Sequence, residues 1–469
     1  MSRRLIFSLQ LGSVAAVALV LRLVAVMAWT RHLTPEGDQN FYWRQAQWLA
    51  DGHGFVYRNN FGEWIPTAVH PPLHSAYLAL VGLLPFDEQS HLPYRLACAV
   101  LGTVTVVVIG LAARKVAGDR AAVLAAGFAA VYPNLWLNDV MFLSESMFAL
   151  TVALVLLAAA CFAQQRTDRN AAILGVTIAL AALTRVEAQL LFVLLVLPLM
   201  AMARDETWKL RIRRVLITGG VGVIVLAPWV VRNFVSFEKH PPTISTSTGF
   251  VLEVGNCDAT YGLAPPADKN GVPLEGHTDP TEMLGYWWPL CDDRAWPGGD
   301  ETVVGAYKQE RALQYMNEHK GRLPLVVAAR VGRMWDVWRP GQSYEFNTFY
   351  ERRGDYPTRA AMAMYYPLLV AALAGLWVLW RRRITIVPYV AVFAATTFTA
   401  AVSFGITRYR VGAEVVLPIL AAVAVDALVR RWRREPDPAV TMDDGTASGP
   451  AGRQSDDPVL VGTTSGDTS

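Results

Sequence analysis

Long apolar runs, separated by short loops rich in arginine, set the pattern of this chain. A helix that crosses a bilayer needs about 20 predominantly apolar residues. One apolar run, 171–203, is too long for one crossing and is interrupted by Arg185 and Glu187. It therefore predicts two short helices joined by a charged turn. The pattern therefore predicts about ten crossings, the other eight at 5–29, 93–113, 121–137, 143–163, 215–231, 361–380, 384–404 and 411–430.

The basic loops between these runs predict the orientation of the chain. Cytoplasmic loops of membrane proteins carry an excess of Lys and Arg. If all of the basic loops are cytoplasmic, the run 171–203 must enter the membrane and return, turning at 184–187. We then expect both termini in the cytoplasm. The basic loops lie at 3–4, 114–120, 166–169, 204–214, 381–383 and 430–434.

Composition supports this membrane assignment. Apolar residues make up 53% of the 469 positions and charged residues only 17%, whereas a soluble domain carries about 25% charged residues. The net charge of +3 is too small to indicate a nucleic-acid partner.

Arg22, inside the first run, has two interpretations: its side chain snorkels to the far interface, or it is an intramembrane charge that faces a carboxylate or phosphate.

The spacing of the runs divides the chain into four parts. Residues 1–231 form an N-terminal transmembrane module that includes a first outer loop, 31–92; residues 232–360 form a large extracytoplasmic region. Residues 361–434 hold the last crossings, and 435–469 are expected to be a disordered cytoplasmic tail. Within the first loop, the apolar stretch 73–86 is too short to span and is expected at the interface or as a re-entrant helix.

Two acidic residues lie where outer loops meet predicted helices. Asp38 follows the first crossing and opens a predicted amphipathic helix, so it serves either as a helix N-cap or as a general base at the lipid–water boundary. Glu145 opens the fourth crossing, where a helix dipole favours an acid. Asp139 is a competing candidate in the same turn, and we expect it to be exposed.

Basic, aromatic and sulfur-bearing residues gather on the same outer side. Arg408, Tyr409 and Arg410 precede the last crossing, and two guanidinium groups there suggest either an anion site or an interfacial anchor. His70, before two prolines, is either a ligand-binding group or a satisfied polar residue. Cys257 and Cys291, both in the large outer region, are a disulfide candidate, the alternative being two unpaired thiols.

These residues resemble the GT-C membrane glycosyltransferases. The resemblance is to their bacterial branch, which is related to glycosyltransferase family 39. This branch is related to the protein O-mannosyltransferases and to the aminoarabinose transferase of lipid A. The proline of the family's Arg-Pro-Glu turn is replaced here by Val186. The matching stretches, in the family's order, are Gly37-Asp38 with Tyr42, His70-Pro71-Pro72, Leu143-Ser144-Glu145, Ala182 to Glu187, Pro228 to Asn233, Gly249 to Asn256, Ala312 to His319, Arg330 to Trp335, and Arg408-Tyr409-Arg410.

The resemblance implies an all-α polytopic fold of the GT-C type, in a bacterial plasma membrane. It implies transfer of a sugar from a polyprenyl-phosphate carrier to an envelope glycan, lipid or protein on the extracytoplasmic face, with no cofactor and no required metal. It carries the catalytic base onto Asp38 and the second acid, which binds the acceptor or supports the base, onto Glu145. Expected donor phosphate and sugar contacts are Arg185, His70, Arg408, Tyr409 and Arg410.

Two other functions fit a polytopic chain with a large outer loop. A lipid-linked glycan polymerase or ligase would favour basic residues in that loop, but the loop also carries acids such as Glu253 and Asp258. A flippase or transporter would place charges in mid-membrane and often shows repeated halves, which we do not find in this sequence. In the transferase reaction, a single base on the face opposite the phosphate leaving group gives displacement with inversion, so we expect an inverting transferase.

Overall fold

The computed structural model describes residues 1–59, 61–87, 89–268, 271–291 and 298–436. It is built almost wholly of helices, which confirms the predicted all-α class. The predicted tail lies outside the described residues from 437 onward. The helices up to the large outer region are α1 (Arg3–Ala28), α2 (Asp38–Ala50), α3 (Pro72–Gly82), α4 (Leu92–Val131), α5 (Pro133–Val140), α6 (Ser144–Gln164), α7 (Asp168–Ala182), α8 (Leu197–Met202) and α9 (Trp208–Ser236).

The rest of the described chain is also helical. Its only strands among the described residues, β1 (Val56–Arg58) and β2 (Trp64–Pro66), form an antiparallel hairpin in which Tyr57 faces Ile65. The remaining helices are α10 (Thr248–Val254), α11 (Asp258–Tyr261), α12 (Glu301–Glu318), α13 (Leu323–Met334), α14 (Pro340–Glu345), α15 (Asp355–Arg381), α16 (Val387–Val402) and α17 (Val411–Arg433). Short 3₁₀ segments include Val186–Gln189 and Thr407–Arg410, and short π-helical segments are Phe192–Val196 and Phe346–Tyr350.

The membrane bundle follows the predicted apolar runs closely. Six helices (α1, α4, α6, α9, α15 and the helix that starts at Thr407) are long and apolar enough to cross a membrane. At 40 residues, α4 is too long for one crossing, and it breaks at Gly118 (φ 83°) into two arms. The arms fold onto each other, since a Cβ on Gly110 would lie 3.2 Å from that of Ala126. With the shorter segments α7, Val186–Met202 and α16, a helical segment coincides with each of the ten predicted crossings.

One boundary differs from the sequence prediction. The run 121–137 is not a single helix, because it stops at Val131 and a separate helix, α5, begins at Pro133. Proline has no N–H to donate to the preceding turn and is well suited to the first position of a helix. The break swings Asn138 and Asp139 into the bundle, where both are buried.

Small residues let the central helices approach closely. Ten alanines of α4 are fully or almost fully buried, and this helix packs against α1, α6 and α17. At Gly375 of α15, a side chain would collide with the backbone of Leu420 in α17, and at Gly175 of α7 with the backbone of Thr218 in α9. In lipid, packing of this kind is a main source of helix association. It gives α17 a buried central place and leaves much of α1 and α9 at the periphery.

Helices α2, α3 and α10–α14 cover one end of this bundle. The predicted amphipathic helix after residue 38 is α2, and the short apolar stretch in the first loop is α3, which at 11 residues is too short to span. Glu301 at the start of α12 joins the large outer region to the first loop: its carboxylate accepts hydrogen bonds from Thr67 Oγ1 (2.8 Å) and Thr246 Oγ1 (2.9 Å). The polar candidates of the sequence analysis lie beneath this cap.

Candidate active site

Asp38 is the most open carboxylate of the candidate site. It is the first residue of α2, but the N-cap position belongs to Gly37, whose φ of 52° suits glycine. The Asp38 carboxylate is therefore not used as an N-cap. Its Oδ2 accepts a hydrogen bond from Arg408 Nη2 at 2.8 Å, and 36% of its side chain remains exposed.

Glu145 lies beneath Asp38 and is fully buried at the start of α6. Its Oε1 accepts hydrogen bonds from Arg185 Nη1 and Arg408 Nε, both at 2.9 Å. A buried carboxylate with two guanidinium partners is well compensated. The structure thus brings the two predicted acids together through one shared arginine, Arg408.

The turn before Glu145 explains how α6 is aimed at the site. Phe142 has φ 42°, an uncommon backbone conformation for a bulky residue. Two buried side chains hold it: His74 Nε2 donates to the Phe142 carbonyl (3.0 Å), and Arg95 Nη1 donates to the Val140 carbonyl (2.7 Å). The Arg95 guanidinium also lies 4.9 Å from the Phe142 ring centre. These contacts fix the start of α6 and with it Glu145.

Arg185 and Arg408 link four carboxylates into one network. Arg185 Nε donates to Glu187 Oε1 at 2.6 Å in the predicted charged turn. Arg408 Nη1 donates to Glu351 Oε1 at 3.4 Å. The chain of ion pairs thus runs from Glu187 through both arginines to Asp38, with Glu351 as a third carboxylate on Arg408.

The surroundings of Asp38 keep it ionised. Burial alone would raise the pKa of Asp38, but the Arg408 guanidinium, and then His70, outweigh burial and hold that pKa below its ordinary value of 3.8. His70 Nε2 lies 3.8 Å from Asp38 Oδ1. Burial lowers the pKa of His70 even though Asp38 opposes the shift, so the imidazole is mostly neutral at pH 7.

Aromatic rings line the network on two sides. The His70 ring lies 4.8 Å from Phe41 and 5.0 Å from Tyr42, measured between ring centres. Tyr409 lies with its ring centre 5.3 Å from the Arg185 guanidinium and 5.2 Å from the Phe404 ring. His70 and Tyr409 therefore lie beside the Asp38–Glu145 network, as the sequence analysis expected.

Arg410 does not belong to this network, and its predicted place beside Arg408 is wrong. The two residues share a 3₁₀ turn, Thr407–Arg410, and with about three residues per turn their side chains leave in different directions. Arg410 is buried and donates to Asp336 Oδ2 (2.8 Å) and the Met334 carbonyl (2.9 Å), and it also pairs with Glu414.

Asp139 is likewise not the exposed turn residue that we expected. It is buried, and its Oδ2 accepts from Arg22 Nε at 2.8 Å. This pair also resolves the two interpretations of Arg22, because its side chain is 1% exposed and faces a carboxylate instead of snorkelling to an interface. Asp139 therefore compensates a buried arginine and does not face the candidate site.

Sequence reasoning did not single out Glu351. It lies in the charged run Glu351-Arg352-Arg353 just before α15, and its side chain is 9% exposed. The sequence shows this run as a cluster of charges before a crossing, like Arg408–Arg410. A single sequence does not show which of the three side chains points into the protein. Arg353 turns inward as well, and its Nη2 donates to Asn138 Oδ1 at 3.0 Å.

Cys257 and Cys291 form a disulfide in the structure, with their Cα atoms 5.5 Å apart. This bond joins Cys257, which lies just before α11, to a later segment of the large outer region at Cys291. Among the described ranges of the chain, no group of three or more His, Cys, Asp or Glu side chains is arranged to hold a metal ion.

Comparisons with known proteins agree with this fold. A family model described as dolichyl-phosphate-mannose-protein mannosyltransferase matches residues 69–231. The solved oligosaccharyltransferase of Archaeoglobus fulgidus aligns with 90% of this chain in two forms. The form tethered to an acceptor peptide containing the NVT sequon gives 16% identity and a TM-score of 0.51; the apo form gives 15% and 0.50. The chain spans about half of that enzyme's length, 50% and 51%.

A structure of ArnT from Cupriavidus metallidurans bound to undecaprenyl phosphate aligns over 90% of this chain and 78% of its own, with 17% identity and a TM-score of 0.40. No curated protein matches the chain significantly by sequence. The family model and the shared fold confirm the resemblance to the GT-C membrane glycosyltransferases that the motifs predicted.

Proposed function

We propose that this protein transfers a sugar from a polyprenyl-phosphate carrier to an envelope acceptor, with inversion at the sugar C1. The observation that carries the proposal is the Asp38 carboxylate, which is partly exposed while its partner Arg408 is anchored by buried Glu145. Oligosaccharyltransferase and ArnT structures have been solved with an acceptor peptide and with undecaprenyl phosphate, respectively. A lipid-linked donor and a nucleophilic acceptor are consistent with a partly exposed carboxylate at the end of a membrane bundle.

We place the Asp38–Glu145 network on the extracytoplasmic side. The basic loops lie at the opposite ends of the same helices: Glu145 begins α6, whereas Arg166 follows its far end. The positive-inside rule puts the far ends in the cytoplasm. The Cys257–Cys291 disulfide supports the same orientation, because such bonds persist in oxidising compartments outside the cytoplasm.

Asp38 is the proposed base. In the transfer, the acceptor oxygen bonds to the sugar C1, the bond from C1 to the phosphate oxygen breaks, and the acceptor proton passes to an Asp38 oxygen. Glu145 is a poor candidate for this step, because it is buried and shared by two arginines. We therefore assign Glu145 to holding Arg185 and Arg408 in place, and not to binding the acceptor.

The departing phosphate gains negative charge and needs preorganised cations. Arg408 pairs with Asp38, and Arg185 shares Glu145 with Arg408; Tyr409 and His70 lie beside them. Arg410 is excluded from this role by its burial against Asp336 and Glu414. A donor phosphate that draws Arg408 away from Asp38 would also make Asp38 a stronger base, since the guanidinium is what lowers its pKa.

The direct experiment replaces Asp38 with Asn and measures transfer from a radiolabelled lipid-linked sugar in membranes. Loss of a general base costs about 10²- to 10⁴-fold in rate, while the amide keeps the shape of the side chain. Asp51→Asn is the matched control, because Asp51 is an exposed acid at the other end of α2. Full transfer by a normally inserted Asp38→Asn variant would disprove the assignment.

A further inference from the structure

A cavity lies at the end of the bundle that carries the basic loops. Its volume is about 570 Å³, within the range of small-molecule sites. It is bounded by the first arm of α4 just before the break at Gly118, by the ends of α6 and α15, by α8 and by the start of α16. Its lining on α6 runs from Leu156 to Gln164, so it lies about 17–29 Å from Glu145 along the helix. A ligand here would therefore be distinct from any donor bound beside Asp38.

The cavity has apolar walls and a basic rim. Apolar side chains such as Leu156, Leu199 and Trp380 form most of its lining. Lys115 and Arg383 also line it, and neither has an ion-pair partner within the described part of the chain. Arg166, also in the lining, is by contrast paired with Asp205 at 2.5 Å. Two unpaired cations at the mouth of an apolar cavity favour an amphipathic anion.

Tyr389 gives a second, independent indication of a ligand. It lines the cavity in the first turn of α16 and is 3% exposed. Its hydroxyl has no hydrogen-bond partner among the residues that the structure describes. The hydroxyl oxygen itself is not fully buried, although the side chain is, and Tyr389 lines the cavity. A ligand headgroup in the cavity can therefore supply the acceptor oxygen that the protein does not.

The lipid side of the cavity is open to the bilayer. Trp380, at the end of α15, is 61% exposed, and tryptophan is enriched at the boundary between acyl chains and headgroups. An occupant at this depth reaches acyl chains on one side and the cytoplasmic surface on the other. A soluble metabolite would leave the apolar walls uncovered, whereas a membrane lipid matches both parts.

We propose that this cavity binds one anionic phospholipid from the cytoplasmic leaflet. The acyl region packs on the apolar walls, the phosphate lies between Lys115 and Arg383, and the Tyr389 hydroxyl donates to a headgroup oxygen. The anionic lipids of this leaflet already attract basic groups at the membrane surface. The site is separate from the proposed transfer reaction and does not depend on it.

The test measures lipid retention by the full chain in nanodiscs that contain equal amounts of phosphatidylglycerol and phosphatidylcholine. The protein is released into the gas phase, and its bound lipids are counted by native mass spectrometry. We expect one retained phosphatidylglycerol in preference to phosphatidylcholine. The double variant Lys115→Gln/Arg383→Gln should lower that preference about tenfold, and Tyr389→Phe should lower it less.

Two further variants decide the location. Arg381→Gln/Arg431→Gln removes two exposed basic residues at the same end that do not line the cavity, and it should retain the lipid as the unmodified chain does. Ala163→Trp fills the cavity from α6 and should abolish retention without removing charge. Equal retention of the two lipids, equal loss in both double variants, or full competition by soluble glycerol phosphate would each overturn the proposal.

Discussion

Arg408 and Arg410 lie two positions apart in one turn, yet they occupy two different kinds of charged cluster. Arg410 is closed off: it is 2% exposed, pairs with Asp336 and Glu414, and lies 3.6 Å from the Tyr365 ring centre. Arg408 also has acidic partners, but one of them, Asp38, is 36% exposed. A closed cluster has no place for a substrate group. An open one can exchange a carboxylate for a phosphate without uncovering a buried charge.

The largest expected effect is on stability, at Arg410. Replacing Arg410 with Gln leaves Asp336 and Glu414 buried without a cation, and breaking a buried ion pair costs about 3–5 kcal/mol. We expect a large fall in the melting temperature in detergent. Arg359→Gln is the control, because it breaks an exposed pair with Asp355 and should leave the melting temperature almost unchanged. Equal melting temperatures for the two variants would contradict the closed-cluster assignment.

At Arg408, the expected loss is of activity more than of folding. Arg408→Gln keeps Glu145 paired with Arg185 and leaves Asp38 in contact with solvent, and the carboxylate that loses its cation is Glu351, which Arg408 contacts at the longer distance of 3.4 Å. We expect transfer to fall about 10²- to 10³-fold, as for removal of a group that stabilises developing charge. The melting temperature should fall less than in Arg410→Gln. A variant that is as unstable as Arg410→Gln would instead make Arg408 a structural residue.

The sequence alone predicted much of this comparison, but not its division into two clusters. Apolar runs of about 20 residues located the crossings, and the motifs located Asp38, Glu145 and Arg185, because both signals are local. The direction of a side chain is not local. Arg408 and Arg410 differ only through a 3₁₀ turn, and the burial of Asp139 depends on the break at Pro133 and on Arg22, 117 positions away. Glu351 was missed for the same reason, since its partner lies on another helix.

The acid side of the pH–rate profile tests the electrostatic part of the comparison. The folded pKa of Asp38 is lowered, so its carboxylate is ionised above pH 3.8 and becomes protonated only as the pH falls below that value. Between pH 5 and 8, Asp38 should therefore impose no loss of rate. In Arg408→Gln the burial that raises the pKa of Asp38 is opposed by His70 but no longer by Arg408, so the residual activity should decline at a higher pH. An unshifted profile would mean that Arg408 does not control Asp38.

Glu351 should have a smaller effect, in the opposite direction. It competes for the Arg408 guanidinium, so Glu351→Gln removes a negative charge from the place where a donor phosphate must bind. We expect the apparent KM for the lipid-linked donor to fall by about two- to fivefold, in keeping with a charge interaction of about 1 kcal/mol across a partly solvated site. Glu345→Gln, an exposed acid at the end of α14, is the control. A raised donor KM would show that Glu351 positions Arg408 instead of competing for it.

Tyr409 lies between the two arginines in the sequence. Its replacement has the smallest expected effect and shows whether Tyr409 acts in the open cluster. Its ring lies against Arg185 on the open side, and its hydroxyl has no hydrogen-bond partner among the described residues. Tyr409→Phe keeps the ring and its contact with the guanidinium, so the melting temperature should not change. If the hydroxyl binds the donor, its loss removes one hydrogen bond, worth about 0.5–1.5 kcal/mol, and the donor KM rises about two- to tenfold. Kinetics identical to those of the unmodified protein would limit Tyr409 to supporting Arg185, because the ring alone would then account for its place in the open cluster.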